Sequence, residues 1–134
     1  MAGSRVASSF QTNAPGALTW NELATRDLAK AATFYAKVFG WEAPADAATA
    51  QYVEWKLGGR TIGGMMPMGE MYPASVPPHW LTYFAVGDCD RAVAAVEAAG
   101  GRVVMPAKDI EQGRFAVIAD PGGATFAIIQ TKQA

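Results

Sequence analysis

FAVIADPGGATFAIIQ, residues 115 to 130, carries two apolar runs on either side of Asp120-Pro121-Gly122-Gly123. Each run is of strand length and rich in β-branched or aromatic residues, so the stretch reads as a β-hairpin. Pro121 presets φ for the second turn position, and Gly122 and Gly123 accept the positive φ that other residues resist. A weaker copy lies upstream, where Tyr52 to Leu57 and Thr61 to Met66 flank Gly58-Gly59. Working outward from these two hairpins makes the rest of the chain legible.

Ala17 to Ala24 is a candidate strand, with Trp20 and Glu22 on one face. Asp27 can cap a helix whose apolar stripe is Leu28, Ala31, Ala32, Tyr35, Val38 and Phe39. Gly40 suits its C-terminus. Trp41 to Pro44 reads as a short strand and Asp46 to Ala50 as a loop. The segment from Pro67 to Pro78 is a connector. His79 to Val86 is again a strand, Asp88 again a cap, and Cys89 to Ala99 again a helix, with Ala92, Val93 and Val96 inward. Gly100-Gly101 ends it. Arg102 to Met105 is a short strand and Pro106 to Gly113 a loop. A shift of 61 positions lays Asp27 on Asp88 and Gly40 on Gly101. Each half reads strand, helix, strand, strand, strand, and such a unit cannot bury its apolar face alone.

The 134 residues suit one domain with a hydrophobic core. With 51% hydrophobic and 17% charged residues the chain is globular in composition. A net charge of -1 builds no basic face, which argues against nucleic acid and against an anionic membrane as partners. No apolar stretch is long enough for a transmembrane helix. A single cysteine, Cys89, excludes an internal disulfide and fits a reducing compartment, so a cytoplasmic location is expected. Residues 1–16 read as a flexible leader. Residues 17–131 form one domain: module one at 17–66, the connector at 67–78 and module two at 79–131.

This tandem resembles the vicinal oxygen chelate superfamily, the group of glyoxalase I, extradiol dioxygenases, fosfomycin resistance enzymes and bleomycin resistance proteins. The residues that carry the resemblance are Asp27 before a helix ending Phe39-Gly40-Trp41, Asp88 before a helix ending Gly100-Gly101, and Asp120 to Gly123 before the last strand. The segments WNELATRD and FYAKVFGW look most like a glyoxalase-like bacterial branch of unsettled activity. The resemblance implies an α+β fold in which tandem βαβββ modules form a curled mixed sheet with the helices outside. It also implies a cavity between the strands, and a homodimer.

In metal-dependent members, ligands stand on the first and last strands of each half. Carried over one position at a time, those places hold Trp20, Leu81, Gly63 and Ala127. None of the four side chains binds a divalent cation, so no metal and no other cofactor is expected. A displaced site built from Glu22, Glu54 and His79 is the alternative, though a lone histidine at a strand start and a glutamate beside Lys56 are ordinary surface features.

Strand parity places Trp20, Glu22, Tyr52, Glu54, Thr61, Met65, Leu81, Tyr83, Phe115, Val117, Thr125 and Ala127 toward the cavity. Such a lining suits a flat, moderately hydrophobic small molecule. Trp20, Tyr52 and Tyr83 can stack on rings, and Glu22 can accept a hydrogen bond from a ligand or act as a general base. Trp41, Trp55 and Trp80 read as core. Met65, Met66, Met68 and Met71 read as a dimer seam or ordinary packing, ahead of a pocket lip. The favoured function is a metal-free small-molecule binder; the alternatives are a lyase-like or dioxygenase-like enzyme that uses the displaced metal site or Glu22, and a structural or regulatory partner domain with no ligand.

Overall fold

A computed structural model describes residues 14–70 and 72–132. Most of the leader, and Met71, lie outside the described residues. The elements run β1 (Leu18–Thr25), α1 (Leu28–Phe39), a 3-10 turn (Ala47–Thr49), β2 (Val53–Leu57), β3 (Arg60–Pro67), β4 (His79–Ala85), α2 (Cys89–Ala98), β5 (Arg102–Ile110), β6 (Gly113–Ala119) and β7 (Thr125–Thr131). The fold is α+β with mixed strand pairing, as the duplicated pattern implies. The chain divides into two compact units, residues 20–81 and residues 82–132 together with the described residues up to 19.

Within residues 20–81, β3 sits between β2, which it pairs antiparallel, and β1, which it pairs parallel. The Gly58-Gly59 turn closes the β2–β3 hairpin with φ of 58° and 80°. Positive φ at both central residues is what a tight two-residue hairpin demands. Helix α1 is capped by Asp27, whose carboxylate accepts from the Lys30 amide at 2.9 Å. It ends at Gly40 in the left-handed region, φ 76°.

The core under α1 is Leu23, Leu28, Val53, Trp55 and Met65, with Tyr35, Trp41, Ile62 and Trp80 packed against it. Tyr35 is the hub of this aromatic group. Its ring lies 5.3 Å from Trp41, 5.6 Å from Trp55 and 5.5 Å from Trp80. Its hydroxyl accepts from Trp80 Nε1 at 3.1 Å. Of the three tryptophans read as core, Trp55 is fully buried, and Trp41 and Trp80 are partly buried and pack against this core.

Within the second unit, β7 pairs parallel with β4 and antiparallel with β6, and β5 pairs antiparallel with β6. Ala116, Ile118 and Ile128 pack under α2 with Cys89, Ala92, Val93 and Val96. Two side chains cap α2. Asp88 accepts from the Arg91 amide at 3.0 Å, and Gln130 on β7 accepts from the Cys89 amide at 2.9 Å. The turn that decides the fold is held by Asp120, whose Oδ1 accepts from the amides of Gly122 and Ala124, each at 2.9 Å.

Three expectations need correction. The loop expected from Pro106 to Gly113 is strand: β5 continues to Ile110 through two register shifts. Proline and bulges are tolerated in β5 because only one neighbour, β6, pairs with it in this unit. The strand expected at Trp41 to Pro44 is reduced to one bridge, Glu42 to Lys56. Val38 and Phe39, placed on the inward stripe of α1, are 53% and 54% exposed. The core ladder ends at Tyr35, and Phe39 stacks instead on Trp41 at 5.0 Å.

Gly113 opens β6 at φ 153°, and a side-chain carbon there would run into the Gln130 carbonyl of β7. Gly113→Ala is therefore expected to lower stability by about 2–4 kcal/mol, beyond an ordinary strand substitution. Urea unfolding followed by circular dichroism checks this.

Candidate functional site

The parallel pairing of β1 with β3 sets Glu22 opposite Gly64, and the antiparallel pairing of β2 with β3 sets Glu54 opposite the same glycine. Partnered residues share a face, so Glu22, Gly64 and Glu54 form a row on the side of the sheet away from α1. Leu23, Met65 and Val53 form the next row, on the helix side, where all three are buried in the core. Met65 was expected on the cavity face and is instead fully buried beneath α1. The register also moves the first-half position equated with a metal ligand from Gly63 to Gly64. Glu22–Gly64 is the counterpart of Tyr83–Ala127 in the second half, whereas Gly63 pairs with Trp55 on the helix side.

Tyr52 stands just before β2 and lays its ring on Gly64. A side-chain carbon at Gly64 would coincide with the Tyr52 hydroxyl. That hydroxyl accepts from Trp20 Nε1 at 2.8 Å. It also hydrogen-bonds the Glu22 carboxylate. An indole N–H only donates and a carboxylate only accepts, so the direction of the chain is fixed: Trp20 to Tyr52 to Glu22. Glu22 is 8% exposed, one of two buried polar residues among those described. Burial, then the charge of Glu22, push the Tyr52 phenol far above its usual range, with Glu54 adding to the effect. The phenol therefore stays protonated and keeps donating.

Glu54 itself is exposed, 3.9 Å from Lys56, an ion pair of little energetic weight. Among the described residues no three His, Cys, Asp or Glu side chains gather in a way that would hold a metal. Glu22, Glu54 and His79 are thus not brought together as a displaced ligand set. His79 Nδ1 lies 2.9 Å from the Pro77 carbonyl in the connector. Arg26 clamps the same connector by donating to the carbonyls of Val76 at 2.8 Å and Pro73 at 3.0 Å. Leu81 is half-buried.

In the second unit, Tyr83, Phe115, Val117 and Ala127 are buried on the face of the sheet opposite α2. The rings of Tyr83 and Phe115 lie 6.1 Å apart. Thr125, on the same face, is exposed at the strand end. Trp20, Glu22, Tyr52 and Glu54, expected on one face, lie together around Gly64, which sequence reasoning did not single out. Its signal was available, because a glycine inside a strand marks close approach of another group.

The fold and this face define a class. A profile of the Glyoxalase/Bleomycin resistance protein/Dioxygenase superfamily matches residues 17–128, and the chain belongs to that superfamily. Among its relatives, CFP32 of Mycobacterium tuberculosis, a candidate glyoxylase, is 37% identical over 122 residues, covering 88% of this chain and 47% of that protein. The anthracycline biosynthesis protein DnrV of Streptomyces peucetius is 36% identical over 129 residues, covering 86% and 47%. The chain thus spans about half the length of these relatives. Among solved structures, methylmalonyl-CoA epimerase from M. tuberculosis superposes with a TM-score of 0.57 at 17% identity, covering 94% of this chain and 96% of that one. The Mn(II)-bound glyoxalase from Novosphingobium aromaticivorans superposes with a TM-score of 0.56 at 19% identity, covering 87% and 41%. These two likenesses concern the fold alone.

Two outcomes follow from the Tyr52 geometry. Gly64→Ala is expected to evict the ring, break the Trp20–Tyr52 hydrogen bond and cost about 1–3 kcal/mol, read from the indole N–H resonance of Trp20 and from denaturant melts. A free tyrosine titrates near pH 10. With its folded-state pKa raised, Tyr52 holds its proton while the unfolded chain loses it, so this group makes stability fall as the pH climbs past about 10. Tyrosinate absorbance developed between roughly pH 9 and 11 should be equal in wild type and Tyr52→Phe.

Proposed function

We propose that this protein binds a small, moderately hydrophobic or aromatic molecule without a metal, on the sheet face that carries Trp20, Glu22, Tyr52 and Glu54. The observation that carries the reading is the Tyr52 ring seated on Gly64 and hydrogen-bonded to buried Glu22. Trp20, and the Tyr52 ring resting on Gly64, stand where the family resemblance would place coordinating side chains. Trp20 offers a ring and Glu22 an acceptor, which suits a flat ligand with a hydrogen-bond donor or an amine. The buried Tyr83–Phe115 pair is a second aromatic surface of the same character.

A second reading makes Glu22 a general base. A buried carboxylate held by a neutral phenol is positioned to take a proton from a bound carbon or oxygen acid, and it needs no metal. Assembly as a homodimer in the cytoplasm belongs to the proposal as well. The exposed apolar stripe of Phe34 and Val38 on α1, with Phe39 beside it, is the kind of surface that a second copy would cover.

A screen of small aromatic compounds by ligand-observed NMR tests the binding reading. Hits are expected to weaken about 10-fold in Glu22→Gln and in Trp20→Ala, each of which removes about one hydrogen bond or one ring contact. Stoichiometric zinc, nickel or iron in the purified protein would overturn the metal-free reading. Full turnover of an identified substrate by Glu22→Gln would remove the second.

A further inference from the structure

We propose that Tyr52 is a displaceable plug: its phenol holds the place of a phenolic ligand, which binds in the slot over Gly64 between the Trp20 indole N–H and the Glu22 carboxylate. The inference rests on the reading that this face takes small molecules, and it names their class.

Four features support it. Tyr52 precedes the first ladder pair of β2, Val53 with Met65, so its side chain can swing without breaking the sheet. Its residue surface is 42% exposed, which leaves a way out toward solvent. The hydroxyl end of the ring rests on the bare backbone of Gly64, since a carbon added there would overlap the hydroxyl and lie 2.9 Å from ring carbon Cε2. At that end, a donor-only group and an acceptor-only group bracket one oxygen. The group that satisfies both is a hydroxyl, which accepts from Trp20 and donates to Glu22.

A ligand phenol replaces the tyrosine phenol like for like, so no buried polar group is left unpaired during the exchange. A ring without a hydroxyl forfeits both bonds. Hydrogen bonds to a charged group of this kind distinguish the two by about 10- to 100-fold. The tethered phenol competes with the free one, so the apparent affinity is reduced by the fraction of time the slot is open. Removing the hydroxyl of the plug should therefore strengthen binding.

The test uses the full chain with 3-fluorotyrosine in place of its 4 tyrosines. Tyr52→Phe assigns the Tyr52 fluorine resonance, and p-cresol and toluene are the probes. The expected result is a saturable shift of the Tyr52 resonance, and of the Trp20 indole N–H, with p-cresol. Toluene should bind about 10-fold or more weaker. Tyr52→Phe should bind p-cresol about 10-fold tighter than wild type, and Tyr52→Ala, with an empty slot, tighter still. Saturable p-cresol binding that leaves the Tyr52 resonance unmoved overturns the plug but leaves small-molecule binding standing. Equal affinity for p-cresol and toluene overturns the hydroxyl specificity. Absence of p-cresol binding in wild type, Tyr52→Phe and Tyr52→Ala overturns the proposal altogether. The aromatic screen stands apart from these outcomes as the test of the broader function.

Discussion

Everything in this fold depends on one pairing made twice, in which the first strand of each module lies parallel to its last. β1 meets β3 through Glu22–Gly64 to Thr25–Pro67, and β4 meets β7 through Tyr83–Ala127 to Ala85–Ile129. Parallel neighbours cannot be joined by a tight turn, so the chain must cross over, and the helix lies in that crossover. Once the helix covers one face, strand alternation assigns every side chain on those strands to the helix side or to the open side. Leu23, Val53 and Met65 go under α1, while Glu22, Glu54 and Gly64 go to the other face.

That assignment explains how a carboxylate can sit buried on this face. Glu22 is flanked along β1 by Leu23, which packs with the α1 core. A buried carboxylate needs compensation, and here a phenol that itself accepts from an indole supplies a hydrogen bond. The arrangement needs a glycine on the central strand, because the phenol occupies the volume of a side chain at position 64. Three segments thus build the arrangement: β1 gives a donor and an acceptor, β3 a bare platform, and the lead-in to β2 a ring.

Much of this was legible in the sequence, for reasons that can be named. Gly58-Gly59 and Asp120 to Gly123 are strong local turn signals, and the recurrence of Asp27 and Asp88 as helix caps made the duplication visible. Local rules failed where a neighbour decided the outcome. Pro106 and the charged residues after it read as loop, yet β6 holds them in a strand through bulges. Met65 was set on the wrong face because the register shift between Trp55 and Lys56 breaks simple counting along the hairpin. Val38 fits the helical period but lies beyond the end of the core. A glycine inside β3 signals close approach but not that Tyr52 makes it, and the capping of α2 by Gln130, 41 positions downstream of Cys89, has no local signature.

The Tyr52–Gly64 contact also bears on how such a site can change over time. A larger residue at position 64 collides with the phenol, and a small residue at position 52 leaves bare backbone beside a buried acid. A coordinating side chain at position 64 is therefore sterically compatible only after Tyr52 has been lost, whereas loss of Tyr52 alone strips Glu22 of its phenol partner. The two positions are epistatic, because a side chain at 64 fits only when the residue at 52 no longer reaches it. One hydroxyl resting on one glycine ties any change at position 64 to a change at position 52.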